Sequence, residues 1–279
     1  LGKSKEAFNY YMKAIRINPK LSNIYGSITT ILRDSDPSQL NKSKLKNILN
    51  LLLEKNNVSH KELFKVFNFL YSHKITNSIN KINSAYSIIS LFIHDKLFLN
   101  ATKKIIFTDI NLENILTKSR QYICDRIAND LEKLNDSELQ FIIALAEQCF
   151  LNEYIYSITE EEDHSVKEII NRCKDGEVNE TNISILACYF PLYKILDQIP
   201  SLKFYTSKNQ SFKELIKLQI SEPLKEIEFS KNIKKIGSIT DTISQKVKSQ
   251  YEENPYPRWR YGNHLKSKKI SINQAINNE

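Results

Sequence analysis

The sequence predicts an all-α protein, in which a helical hairpin precedes an irregular helical bundle or solenoid and an extended C-terminal segment rich in proline and aromatic residues. The 279 residues include only 5 glycines and 7 prolines, so few helix breakers interrupt the chain. Apolar residues recur every three or four positions over most of its length, which is the period of an α-helix. The only hint of a strand lies at residues 203–206.

Residues 1–36 carry the spacing of a repeat. Small, aromatic and proline residues stand where the second helix of a tetratricopeptide repeat has them: Gly2, Ala7, Tyr11, Ala14 and Pro19. The following stretch, SNIYGSITTIL, begins like the first helix of another repeat, and then the pattern stops. We therefore expect residues 1–36 to be the end of a repeat array that binds protein or peptide, and the chain to be a fragment of a longer protein.

Residues 43–250 form the predicted helical body. Ser59 and Glu62 have the spacing of a capping box. The segment DSELQFIIALAEQCFLNEYIYSI, from Asp136 to Ile158, is apolar on nearly all sides, which predicts a central buried helix. The acidic run at 160–163 suits a helix N-terminus, and Gly176 is expected to end that helix.

Composition excludes several classes of site. The glycines are scattered, so the chain has no glycine-rich loop for a nucleotide, a phosphate or S-adenosylmethionine. No two of its four cysteines have the spacing of zinc ligands, and their apolar surroundings predict buried free thiols in a reducing compartment. No His pair or Ser-His-Asp pattern has a catalytic spacing. The sequence therefore assigns no catalytic, cofactor-binding or metal-binding residue.

The chain is basic, with a formal net charge of +8. Most of this charge is lysine spread among asparagine and isoleucine, which is typical of a solvated surface. A nucleic-acid-binding module is an alternative. It would need arginines and aromatics clustered on one face, and the run from Lys246 to Lys269 is the nearest candidate. No apolar run approaches the length of a membrane span, and no secretory signal is present, so a cytoplasmic protein is expected.

Four polar or aromatic residues end the apolar central segment: Gln148, Asn152, Glu153 and Tyr154. Buried polar groups need partners, so an internal hydrogen-bond network is one interpretation. The other is a ligand-facing pocket, which would make the chain an all-helical enzyme that binds a small molecule.

The C-terminal run SQYEENPYPRWRYG holds the only tryptophan of the chain. Its prolines force an extended path, and its large aromatic side chains need cover. Three interpretations stay open: a linker that packs on a neighbouring domain, a lid over an active site in that domain, or a contact to nucleic acid or another anion. We call its central part the C-terminal clasp, which comprises Tyr251, Glu252, Glu253, Asn254, Pro255, Tyr256, Pro257, Arg258 and Trp259.

These features together resemble one bacterial family, in which tetratricopeptide repeats precede a class I S-adenosylmethionine-dependent methyltransferase domain. The resemblance rests on QYEENPYPRW and on QCFLNEY, with further likeness at Ala144–Tyr154 and at 187–189. In that family the NPYPRW-like segment stands just before the catalytic domain. The chain ends at Glu279, about where the first strand of that domain should begin, so no residue of the cofactor site maps onto it.

The resemblance implies a non-catalytic accessory region. It would dock on a methyltransferase domain in cis through the C-terminal clasp, while the repeat-like helices recruit a protein substrate. S-adenosylmethionine would bind to the domain that follows and not to this chain. The methyl acceptor is not indicated by any residue.

Overall fold

A computed structural model describes residues 2–81, 85–129, 133–234 and 239–253. The chain divides into two compact units, with the division between Ser72 and His73. The first unit holds two 3₁₀ turns, Pro37–Gln39 and His60–Leu63. Its helices are α1 (Gly2–Ile17), α2 (Ser22–Asp34), α3 (Lys42–Leu53) and the first part of α4 (Phe64–Lys81).

The second unit contains nine further helices within the described ranges: α5 (Ala85–Ser90), α6 (Lys96–Lys104), α7 (Ile110–Ala128), α8 (Asp136–Leu151), α9 (Glu160–Lys174), α10 (Glu180–Leu186), α11 (Gln210–Ile216), α12 (Glu222–Lys231) and α13 (Thr242–Glu253). No described residue lies in a strand, so the all-α prediction is confirmed for this part of the chain. The strand hint at 203–206 is wrong, since Pro200–Phe204 forms a 3₁₀ turn.

A hairpin of α1 and α2 opens the first unit, at the position that the repeat-like pattern predicts. Phe8 of α1 and Ile28 of α2 are fully buried. The Tyr25 hydroxyl donates a 2.7 Å hydrogen bond to the Pro19 carbonyl, which ties α2 to the connection. Lys55 Nζ lies 4.8 Å from the centre of the same ring. The assignment of this hairpin to a tetratricopeptide repeat stays a prediction.

The capping box predicted at Ser59 and Glu62 does not form. Ser59 makes no side-chain capping bond, because residues 60–63 form a 3₁₀ turn in place of the first turn of an α-helix. Capping boxes instead begin α8, at Asn135 and Glu138, and α9, at Thr159 and Glu162. In each, the side-chain oxygen of the first residue and the carboxylate of the second satisfy backbone N–H groups.

Helix α8 is the centre of the second unit, as the apolar sequence from Asp136 predicts, but it ends at Leu151 and not at Ile158, and Ile155 and Ile158 are exposed. Helices α6, α7, α10 and α11 all pack against it, and every residue from Phe141 to Leu151 is buried.

The acidic first turn of α9 and its end before Gly176 are likewise confirmed. Gly176 has a φ of +106°, a conformation that glycine adopts without strain, and Glu177 N donates to the Arg172 carbonyl to close the helix end.

A π-helical turn, Lys217–Ser221, joins α11 to α12 and places one polar side chain in the core. Gln219 is fully buried. Its amide nitrogen donates to the carbonyls of Ala146 in α8, at 3.1 Å, and Ala187, at 3.0 Å. Its amide oxygen accepts from Leu192 N at 3.3 Å. One side chain thus holds three backbone segments together.

We predict that Gln219→Leu lowers the free energy of unfolding by roughly 2–4 kcal/mol, because the buried polar groups that it leaves without a partner cost about 1–3 kcal/mol each. Urea denaturation followed by far-ultraviolet circular dichroism measures the loss. The exposed Gln198 provides the matched control, and Gln198→Leu should change the stability by less than about 0.5 kcal/mol. Equal losses for the two variants would contradict the role of Gln219.

Candidate functional site

The predicted C-terminal clasp falls partly on helix α13. Tyr251, Glu252 and Glu253 form its last turn, whereas residues 254–259 lie outside the described residues. The Tyr251 side chain is 68% exposed. Glu252 Oε1 lies 3.5 Å from Lys248 Nζ, an ion pair within the helix. What the clasp contacts stays a prediction.

Helix α13 exposes apolar side chains along one face. Ile243 is 71% exposed and Val247 45%, and with Tyr251 they recur every four residues. We call these three residues the α13 stripe. None of residues 239–252 is buried, so within the described residues no element covers the stripe. Covering an aliphatic side chain of this size gains about 1.5–3 kcal/mol, which makes the stripe suited to a partner surface.

The four residues predicted to line a pocket, Gln148, Asn152, Glu153 and Tyr154, form hydrogen bonds with backbone groups around the end of α8. With its amide nitrogen turned toward α6, Gln148 donates to the carbonyls of Thr102 and Ile105 at 2.6 and 2.8 Å. Asn152 ends α8, and its side-chain oxygen accepts from Tyr154 N at 3.1 Å. These contacts are the ones expected if the four residues form an internal hydrogen-bond network. The alternative, a pocket that faces a ligand, stays a prediction.

Glu153 and Tyr154 adopt left-handed backbone conformations, with φ near +57° and +58°. For residues other than glycine, each such conformation costs about 1–2 kcal/mol. Tyr154 N donates to the Cys149 carbonyl at 2.8 Å, and its ring packs edge-on to Phe150. The strained pair reverses the chain sharply after α8 and directs the segment 155–159 back toward α7.

A buried ion pair contacts that segment at Ser157. Arg120 of α7 and Glu162 of α9 are 1% and 3% exposed. Arg120 Nε donates to Glu162 Oε1 at 2.9 Å, and its Nη2 donates to the Ser157 carbonyl at 2.6 Å. The Tyr189 hydroxyl donates to the same carboxylate at 2.7 Å, while its ring lies 4.6 Å from the Arg120 guanidinium. We call these four residues the Arg120 cluster.

No local pattern in the sequence indicates the Arg120 cluster, since its charged members lie 42 residues apart. One signal was available: Arg120 stands on the same face of α7 as Leu116 and Ile123, where a charged side chain must find a partner.

The environment of the cluster shifts several pKa values. Burial by itself lowers the pKa of Arg120, but its hydrogen bonds to Glu162 and the charge interactions with Tyr189, Cys149 and Glu162 together outweigh burial, and the pKa lies above the ordinary value. Burial raises the pKa of Tyr189 far above that of an exposed tyrosine. Burial also raises the pKa of the nearby Cys124 thiol to about 12. The arginine therefore stays charged at neutral pH, while the phenol and the thiol stay protonated.

A surface groove of about 490 Å³ lies between α7 and α9, directly over the Arg120 cluster. We call it the α7/α9 groove. Seven residues from these two helices line it: Lys118, Gln121, Tyr122, Asp125, Glu161, Glu162 and Ser165. No motif in the sequence predicts this groove, because its two walls come from helices that are far apart along the chain.

Other kinds of site are not found in the part of the chain that the structure describes. No group of three or more His, Cys, Asp or Glu side chains there could hold a metal ion. No helix in the described ranges is long and apolar enough to cross a membrane. All four cysteines are buried with free thiols, as their apolar surroundings predict.

Comparisons of the chain with protein-family models, with curated proteins and with solved structures find no match. The resemblance to methyltransferases with tetratricopeptide repeats therefore stays a prediction.

Replacing Glu162 with glutamine should lower the free energy of unfolding by about 3–5 kcal/mol, since Arg120 would keep its charge in the core without a counter-ion. Chemical denaturation at pH 7 measures this. Asp163→Asn removes the neighbouring carboxylate, which forms an exposed ion pair with Lys167. That control should cost no more than about 0.5 kcal/mol. Similar losses in the two variants would refute the importance of burial.

Stability should fall as the pH rises from 9 to 11. Burial raises the pKa of the Cys173 thiol to about 11, from an ordinary value of 9.0. In this window the unfolded thiol loses its proton and the folded thiol keeps it, so alkali favours unfolding. Cys173→Ala should make the decline less steep by about 1.4 kcal/mol per pH unit. Urea titrations of both proteins at each pH measure the free energy of unfolding, and the values at pH 7 give the difference in stability that does not depend on the thiol ionisation. Identical slopes of the unfolding free energy against pH for the two proteins would contradict the prediction.

Proposed function

We propose that this chain is a non-catalytic helical region that docks onto a class I S-adenosylmethionine-dependent methyltransferase domain of the same protein. The α13 stripe carries this proposal. Its three exposed apolar residues end one turn before NPYPRW. An apolar face that no described residue covers therefore adjoins an aromatic, proline-rich segment along the chain. Such a pair is typical of a surface that a neighbouring domain covers.

The rest of the proposal concerns recruitment and location. The α1–α2 hairpin, as the end of a tetratricopeptide-like array, would recruit the protein or peptide to be methylated. S-adenosylmethionine would bind to the following domain, because the scattered glycines of this chain leave no loop for it. We place the protein in the bacterial cytoplasm, where its four buried thiols would stay reduced.

The docking part predicts protection of α13 in the full-length gene product. Hydrogen exchange of the α13 amides should slow in that product relative to this chain alone, because a covering domain excludes water. Val247→Asp places a charge in the α13 stripe and should abolish the protection. Ser244→Asp adds the same charge to α13 outside the stripe and should preserve it.

Calorimetry with S-adenosylmethionine completes the test. The full-length product should bind the cofactor, and this chain alone should not. Binding by this chain alone would overturn the non-catalytic assignment. Equal exchange of α13 in both proteins would overturn the docking assignment.

A further inference from the structure

Most of the net charge of the chain lies in residues 1–72, which belong to the first unit. These residues hold 12 lysines and arginines against 5 aspartates and glutamates, so they carry +7 of the formal net charge of +8. Along the sequence the cations are spread among uncharged residues, but the structure brings several of them together on α1. Cations gathered along one helix face act on an anionic ligand as a single patch.

Four cations form a row on the exposed face of α1. Lys5, Lys13 and Arg16 are exposed and follow one another at intervals of eight and three residues, which places them on the same side of the helix. A lysine from another helix fills the interval between the first two. Lys44 of α3 donates from Nζ to Asn9 Oδ1 at 3.0 Å, and Asn9 stands four residues from Lys5 and from Lys13. The α1 cation row, about 16 Å long, comprises Lys5, Lys44, Lys13 and Arg16.

The α1 cation row has no counter-charge within the described residues, where none of its members forms an ion pair. Glu6, the one carboxylate of α1, stands beside the row and is exposed. The helix dipole favours a cation in the last turn, which accounts for Arg16, but it disfavours Lys5 in the first turn. Like charges in a row also repel one another, so helix stability does not explain the row, and an anionic ligand would relieve the repulsion.

An exposed aromatic ring adjoins the row. The Tyr10 side chain is 69% exposed, and Lys13 Nζ lies 5.7 Å from the centre of its ring. Ile17, two helical turns further on, is 85% exposed. Nucleobases stack on rings of this kind while neighbouring cations neutralise the phosphates of the same strand. The ring is an observation independent of the charge, and it indicates a ligand that carries planar groups beside its anions.

We infer that the exposed face of α1 binds single-stranded nucleic acid without preference for its sequence. The phosphates of the strand lie along the α1 cation row, and a base stacks on Tyr10. A duplex keeps its bases paired, so it would contact the row and not the ring. This inference goes beyond the proposed function, and it depends neither on α13 nor on the resemblance to methyltransferases.

Other anionic partners fit this face less well. An acidic peptide supplies carboxylates for the row and leaves the Tyr10 ring unused. A membrane surface requires a broad apolar helix face to enter the lipid. The broad apolar face of α1 is not available for this, because Phe8 and Ile15 are buried within the first unit.

The dependence of binding on salt tests the α1 cation row. Fluorescence anisotropy follows a labelled oligothymidylate of about 12 nucleotides, a length within the usual range of single-strand sites, as the 279-residue chain is added. Four phosphate contacts to a single strand give a slope of log K against log salt concentration near about −3. Lys13→Gln should bring this slope closer to zero by about 0.7, the contribution of one contact. Absence of binding at low salt and about 100 μM chain, the weak end of non-specific affinity, would overturn the inference.

Two matched lysine variants separate the row from a general basic surface. Lys46→Gln removes an exposed lysine two residues after Lys44, on the other side of α3, and should leave the slope unchanged. Lys246→Gln removes an exposed lysine of the C-terminal basic run and should also leave it unchanged. A change of slope with either variant as large as that with Lys13→Gln would refute the site on α1.

A third variant tests the aromatic contact and the class of ligand. Tyr10→Ala should weaken oligothymidylate binding at least about fivefold, the lower end for one stacked base, while the salt slope and the affinity for a duplex stay the same. Phe204→Ala removes another exposed aromatic ring, 78% exposed, and should have no effect. Equal losses for the two variants would refute the stacking contact. Polyglutamate or phosphatidylserine vesicles that displace the labelled strand as effectively as unlabelled oligothymidylate, at equal charge, would refute nucleic acid as the ligand.

Discussion

The Arg120–Glu162 ion pair is the interaction on which most of the second unit depends. It joins α7 to α9, and through Ser157 and Tyr189 it also fixes the chain before α9 and the turn after α10. Taking two charges out of water costs several kcal/mol for each ion, and only good geometry with further hydrogen bonds offsets this. Every oxygen of the Glu162 carboxylate has such a bond, since Oε2 accepts from Thr159 N as part of the capping box. A helix start and a core contact are thus fixed by one side chain.

Buried amides extend the same principle around α8. Gln148 in α8 and Gln219 in the π-helical turn each bond to backbone groups of neighbouring segments. Apolar packing alone is tolerant of sliding, whereas a buried amide is satisfied in one arrangement only. The polar residues at the end of the apolar segment therefore have a structural use that is independent of any ligand. They also explain why a nearly all-apolar helix sits in one register against four neighbours.

The last part of the described chain contrasts with this core. From α12 onward, Pro223 is the only buried residue within the described ranges, and the α13 stripe presents aliphatic and aromatic surface to water. A region that buries so little contributes little to the stability of its own unit, so its apolar face is available for another surface.

The sequence by itself determined the helical class, the central position of α8, the acidic start of α9 and its end at Gly176. These features depend on local periodicity and local backbone chemistry, which a short window of residues contains. It also marked the residues from Gln148 to Tyr154 as unusual without distinguishing a network from a pocket. The capping box predicted at Ser59 does not form, because residues 60–63 adopt a 3₁₀ turn in place of the first turn of an α-helix. Only the tertiary structure paired Arg120 with Glu162, brought Lys118, Tyr122 and Asp125 opposite Glu161, and left the α13 stripe uncovered. Each of these outcomes depends on which helix faces lie together across tens of residues, and the spacing of residues along the chain does not contain that information.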